Sequence, residues 1–282
     1  MTDRYWLIAA TVTYLISAAW GIYALGARRS ASTPWHDSVL VLGLIFSSIF
    51  LYERGEVIRH CPITNLFEVV AFFTWSLVLT YLVIGPVYRM SILGTFTAPL
   101  VFCLNFLALV APIDIPTNRP PLGWVLELHA CLSILGFGML GVAALAGMMY
   151  LIQERQLKRR SLDHWFYNLP AMGQLERVHR LVLKWAFLIF SGGMALGFFI
   201  PHESTLDWVK VFWSAAVWLL YGGLLLAPKF LPLSHKKVAW ASVAGYVFVL
   251  LTFWGINSLS QDHRFSLPTD FVAHPVTMEA AS

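Results

Sequence analysis

Eight long, nearly uncharged apolar runs mark out this 282-residue chain, and nothing else in it narrows the possible folds so far. They cover residues 5–25, 39–51 with their flanks, 66–84, 92–110, 125–152, 181–200, 211–226 and 238–258, the second being the shortest. About 20 apolar residues in a helix cross roughly 30 Å of hydrocarbon with every backbone polar group bonded inside the segment. The runs are continuous rather than alternating, which argues against the strands of a membrane barrel. With 58% hydrophobic and 12% charged residues, the composition is far from that of a soluble domain. The expected fold is therefore all-α, a polytopic bundle of about eight transmembrane helices.

An even number of spans puts both termini on one side, and lysine and arginine then select the side. If the termini are outside, the inner side holds 13 of the 19 basic residues, densest between the fifth and sixth runs at Arg155, Lys158, Arg159, Arg160, Arg177 and Arg180, with Lys184 just inside the sixth. Arg4, Arg54, Arg59, Arg119, Lys210 and Arg264 fall outside. Both termini are expected outside. The basic balance is accounted for by this asymmetry, so no nucleic-acid partner is expected. No Pro/Gly/Ser-rich linker divides the chain, so residues 1–282 read as one membrane domain in contact with lipid. Residues 153–180 form the longest inner connection and are expected to hold a short interfacial helix around Trp165, Phe166 and Tyr167. Residues 266–282 read as a loosely ordered outer tail.

Small residues in the fifth and sixth runs, including Gly136, Gly138, Gly141 and the G-x-x-x-G of Gly193 and Gly197, point to close helix approach. Trp124, Trp208 and Trp213 read first as interfacial anchors. Cys61, Cys103 and Cys131 stand apart with no C-x-x-C or C-x-x-C-H, so the chain is not itself a c-type cytochrome. Cys103 and Cys131 read as packing residues. Cys61, in an outer loop, reads as a quiet thiol, with a reactive or partner-bonded thiol as the alternative. No P-loop, H-E-x-x-H or nucleophile elbow supports an ATPase or hydrolase.

Once the topology is set, separated residues converge on the outer face. Asn65-Leu-Phe-Glu68 opens the third run, Trp124-Val-Leu-Glu-Leu-His129 the fifth, and Gly255-Ile-Asn257 closes the eighth just before His263; His202, Asp207, Trp208 and Lys210 precede the seventh. A neutral imidazole binds haem iron, and two of them from opposite helices can fill both axial positions. His129 and His263 are the expected pair, with His202 the alternative ligand. Aromatic neighbours would supply flat apolar surface, and Lys210 or Arg264 a charge partner for propionates. Glu68 either supports the site by hydrogen bonding or snorkels to the interface. His164, His179 and His235 fall on the inner side without an evident partner.

Asn65-Leu-Phe-Glu68 with Trp75, the segment from Trp124 to His129, Leu175-Glu176 leading to Gly193 and Gly197, and Gly255-Ile-Asn257 with His263 resemble the cytochrome c assembly family. The likeness runs from the third to the eighth run and is greatest to the CcsA/ResC branch of a haem-handling superfamily that also includes CcmC and CcmF. It implies a protein that presents haem b at the outer surface for attachment to apocytochrome c, as a component of a haem lyase. It also implies a companion assembly protein with a large outer domain, and a bacterial inner membrane rather than an organellar one. By the same likeness His129 is the first outer ligand and His263 the second, with Trp208 and Trp213 walling the pocket. Trp124, Lys210, Asn65, Glu68 and Asn257 complete the cofactor-binding set. The chain departs from the family in its outer segment, which reads like W-G-x-x-W-x-W-D-P-K-E-T-W there. Lys210, Trp213 and Trp218 keep the spacing here, Asp207 is displaced by one place and the leading tryptophans are absent. That departure also resembles HemX-like relatives, which implies a non-catalytic membrane regulator of haem synthesis as the alternative. A subunit of a respiratory complex is a third possibility that no residue selects.

Overall fold

The structure, a computed structural model, describes residues 3–26, 34–88, 90, 92–111, 113–114, 123–159, 170–199 and 208–259. All regular structure among these is helical: α1 (Asp3–Gly26), α2 (Pro34–Ile58), α3 (Leu66–Val87), α4 (Ile92–Val110), α5 (Trp124–Arg159), α6 (Met172–Gly197), α7 (Trp208–Phe230) and α8 (His235–Leu259). Helices α1 to α7 are each long and apolar enough to cross a membrane. The chain is a multi-pass membrane protein.

The apolar run at 39–51 understated α2, which spans 25 residues because His36, Asp37, Glu53 and Arg54 are drawn into helical turns at its two ends. Likewise the connection expected over 153–180 is mostly helix. Glu154 and Lys158 pair at 2.7 Å, as do Glu176 and Arg180, each four residues apart on one helix face. These pairs prolong α5 to Arg159 and start α6 at Met172. The expected interfacial helix at Trp165 to Tyr167 and the tail 266–282 lie outside the described residues.

Lipid supplies no hydrophobic drive between helices, so packing shape and interhelical hydrogen bonds hold such a bundle together. Helix α1 packs on α2 and α4, α3 on α2, α4 and α5, and α5 on α6 and α8, with α7 against α6 and α8. Helix α3 thus joins a first group of four helices to a second through α5. That seam is tight at Gly138, where an added Cβ would lie 1.7 Å from Ser76 Oγ and 3.2 Å from the Leu77 nitrogen. Hydrogen bonds stitch neighbours: Trp75 Nε1 donates to Ser48 Oγ at 2.8 Å, and Trp218 Nε1 to Ser191 Oγ at 2.9 Å. Tyr14 meets Ser47 at 3.1 Å and Ser17 meets His36 Nε2 at 2.9 Å.

Candidate haem-handling site at one end of the bundle

Alternating helix directions gather the starts of α1, α3, α5 and α7 and the ends of α2, α4, α6 and α8 at one end of the bundle. His129, in the second turn of α5, sits there against the last turns of α6. Its Nδ1 lies 2.7 Å from the carbonyl oxygen of Gly193. A carbonyl only accepts, so Nδ1 carries the hydrogen, and in the neutral ring the lone pair then sits on Nε2. The glycines read from sequence as a helix-packing motif have a more particular use. A Cβ on Gly197 would come within 3.1 Å of His129 Cε1, and one on Gly193 within 2.8 Å of Ser133 Oγ. The seat for the imidazole is made by removing side chains from α6. Ser133 Oγ donates to the His129 carbonyl at 2.7 Å.

Asn65 and Glu68 occupy the same end in a different arrangement. Asn65 caps α3, its side chain accepting from the Glu68 nitrogen at 2.9 Å. Glu68 reaches back in the manner of a capping box. Its Oε2 accepts from the Thr64 nitrogen and hydroxyl, each at 2.7 Å, and its Oε1 from Arg54 Nε at 2.9 Å and Asn65 Nδ2 at 3.3 Å. Glu68 is only 1% exposed, so it is drawn inward and does not snorkel. Arg54 also bonds Asp3 at 2.9 Å and Asp114, and Asp114 pairs with Arg4 at 3.1 Å. Both guanidiniums lie over the Phe67 ring, at 5.2 Å for Arg4 and 5.9 Å for Arg54. The cluster ties α1, α2, α3 and the residues after α4 together. Charged residues at four helix ends are its signal in the sequence, where the positive-inside rule uses Arg54 and Arg4 only as signs.

The tryptophans divide. Trp124 is 74% exposed and Trp208 61% exposed, with Trp208 6.0 Å from the Phe212 ring. Trp213 is half-buried and turned into the bundle, where its Nε1 donates to Thr252 Oγ1 at 2.9 Å and its ring lies 5.6 Å from Phe137. Lys210 falls in the first turn of α7 and Asn257 in the last turn of α8, at the same end as His129. His202 and His263 lie outside the described residues.

Two pairings had no sequence signal. Cys61 Sγ and Cys131 Sγ are 2.9 Å apart across 70 residues. The hydrogen bond to Cys131, then burial, with the Glu127 and Glu68 carboxylates nearby, pushes the Cys61 thiol well above the usual thiol range. At the far end of the bundle, His179 and His235, which the sequence left in loops without partners, have ring centroids 5.1 Å apart. His179 lies inside α6 because that helix begins nine residues earlier than its apolar run does.

Comparison with known proteins places the chain in a family. Residues 63–263 match the family model described as cytochrome C assembly protein. Protein HemX of Bacillus subtilis (strain 168) is 24% identical over 237 residues, covering 81% of this chain and 84% of HemX. The cytochrome c biogenesis protein CcsA of Guillardia theta is 22% identical over 246 residues, covering 78% of this chain and 81% of that protein. An uncharacterized 28.8 kDa protein of Azospirillum brasilense is 26% identical over 155 residues, covering 54% and 57%. The matched span runs from the Cys61 turn through His129 to His263, more than half the chain, and the chain belongs to the cytochrome c assembly protein family.

Proposed function

We propose that the chain binds haem b at the His129 end and assists its attachment to apocytochrome c. The observation that carries this reading is the His129 hydrogen bond to Gly193, which places the hydrogen on Nδ1 and leaves Nε2 as the nitrogen a neutral ring would offer to iron. A backbone carbonyl behind the other ring nitrogen is the usual support for a metal-ligating histidine. His129 and His263 would hold the haem iron, with His202 as the alternative to His263. Trp124 and Trp208 offer exposed ring area for a porphyrin. Lys210 would pair with a propionate. Trp213, bonded to Thr252, supports the wall from behind by fixing α7 to α8. Asn65 and Glu68 set the start of α3 through the Arg54 cluster, and Asn257 lies on the last turn of α8 at the same end. Bound haem would supply vinyl groups to which apocytochrome thiols add; the protein's part would be to orient and shield it.

The excess of basic residues at the opposite end supports placing the His129 end outside, in a bacterial inner membrane. Apocytochrome c and a companion assembly protein with a large outer domain are the partners this reading requires. The test is the haem spectrum of purified protein. Replacing both His129 and His263 by alanine is expected to abolish axial ligation and deplete haem; unchanged haem content and ligation would refute the site.

A second reading, a HemX-like regulator acting on a cytosolic partner, is favoured by the inward turn of Trp213 and the missing leading tryptophans. It predicts capture of a cytosolic partner through the inner basic residues around 153–180, and capture of apocytochrome c alone would reject it.

A further inference from the structure

Cys61 and Cys131 come from segments 70 residues apart, yet their sulfurs face each other at 2.9 Å. Cys61 lies in the short turn between α2 and α3. Arg59, with φ 63°, ends α2 in the left-handed region. The Ile63 nitrogen then donates to the Cys61 carbonyl at 2.9 Å, and His60 Nδ1 lies 3.2 Å from the same oxygen. These contacts hold the Cys61 backbone in place. Cys131 is on α5, two residues beyond His129. Both thiols are half-buried, and Cys61 packs against a small apolar cluster of Ile63, Val69 and Ile134. Cys103 is exposed on α4 and takes no part. Reaching the roughly 2.05 Å of a covalent S–S bond needs a sulfur approach of about 1 Å.

We propose that Cys61 and Cys131 are a reversible thiol–disulfide pair that exchanges with a disulfide-bearing protein partner at the His129 end. One cysteine, as thiolate, attacks a sulfur of the partner's disulfide, forming a mixed disulfide and releasing one partner thiol. The second cysteine attacks the chain's own sulfur in that mixed disulfide, closing Cys61–Cys131 and releasing the second partner thiol. Two electrons pass to the partner, and the two protons of the dithiol end on its thiols. The reverse exchange with a partner dithiol reopens the pair. Closure ties the α2–α3 turn covalently to α5 within two residues of the His129 seat. An end of the bundle placed outside is also where disulfides persist. The inference goes beyond the haem reading and does not require it.

The test uses the full chain in its own membranes with Cys103→Ser, which leaves only the pair. Samples are equilibrated across ratios of reduced to oxidised dithiothreitol, acid-quenched, and labelled in detergent denaturant with a mass-tagged maleimide. Both tags are expected to disappear together at one midpoint, with no singly tagged species, and to return on reduction. A further Cys61→Ser change is expected to leave one tag at every ratio. A singly tagged intermediate in the two-cysteine protein, or two tags at every ratio, would overturn the proposal. Haem absorbance is read on parallel samples; because the tag count does not depend on haem, failure of one reading is distinct from failure of the other.

Discussion

The two ends of the bundle bury polar side chains in opposite ways. At the His129 end the buried cluster around Glu68 is cross-bonded: Glu68 accepts four hydrogen bonds, and Arg54 reaches Asp3, Glu68 and Asp114. At the far end His179 and His235 lie edge to face, with Tyr150 4.6 Å from His235, and none of the four ring nitrogens has a hydrogen-bond partner among the described residues. The Glu176 carboxylate is 3.7 Å from His235 Nδ1. Burial of a polar group costs free energy unless it is bonded, so the first end gains a fixed geometry from its polar groups while the second carries theirs as a cost. The contrast is between a clamped end, where helix starts and ends are cross-bonded, and a packed one.

The largest effect should come from cutting the clamp. Arg54→Met leaves three carboxylates without their shared cation and is expected to cost about 3–5 kcal/mol, read as a large fall in thermal unfolding temperature in detergent. A change of less than about 0.5 kcal/mol, the range of an ordinary surface substitution, would mean the cluster is not buried as described. The far end should answer with the opposite sign. His179→Leu removes unbonded nitrogens from a fully buried position and is expected to be neutral or stabilising by about 1–2 kcal/mol in the same assay. Destabilisation of the size seen for Arg54→Met would erase the contrast.

Smaller effects sharpen the first end. Gly197→Ala places a methyl 3.1 Å from His129 Cε1. Overpacking of roughly 1–3 kcal/mol is offset by about 1 kcal/mol of helix propensity, so stability should fall by about 1 kcal/mol. Haem retention, measured spectroscopically, should drop with it. Unchanged retention would separate the α6 seat from the site. Trp213→Phe deletes the donor to Thr252 while keeping an aromatic ring. It is expected to cost about 0.6 kcal/mol and leave haem ligation intact.

The sequence carried the helices well, because lipid imposes one period and one length on every span. It failed where helices outlast the apolar run: α5 and α6 continue through Glu154 and Glu176 on salt-bridged turns that hydropathy counts as loop. The same failure hid His179, which became a core residue once α6 began at Met172. His129 was legible from its place near a helix start, but the reason it is held, a glycine carbonyl on another helix, was not. Spacing along one helix says nothing of the backbone atom it faces. Cys61 and Cys131 were illegible for the same reason, since no short-range pattern links residues 70 apart.

The most direct measurement is imidazole rescue of His129→Gly. Purified from membranes, this variant is expected to lose the axial ligation expected of the wild-type haem spectrum, and free imidazole entering the seat beside Gly193 and Gly197 is expected to restore it. A variant that keeps the wild-type spectrum without imidazole would contradict the claim that His129 Nε2 is a haem ligand.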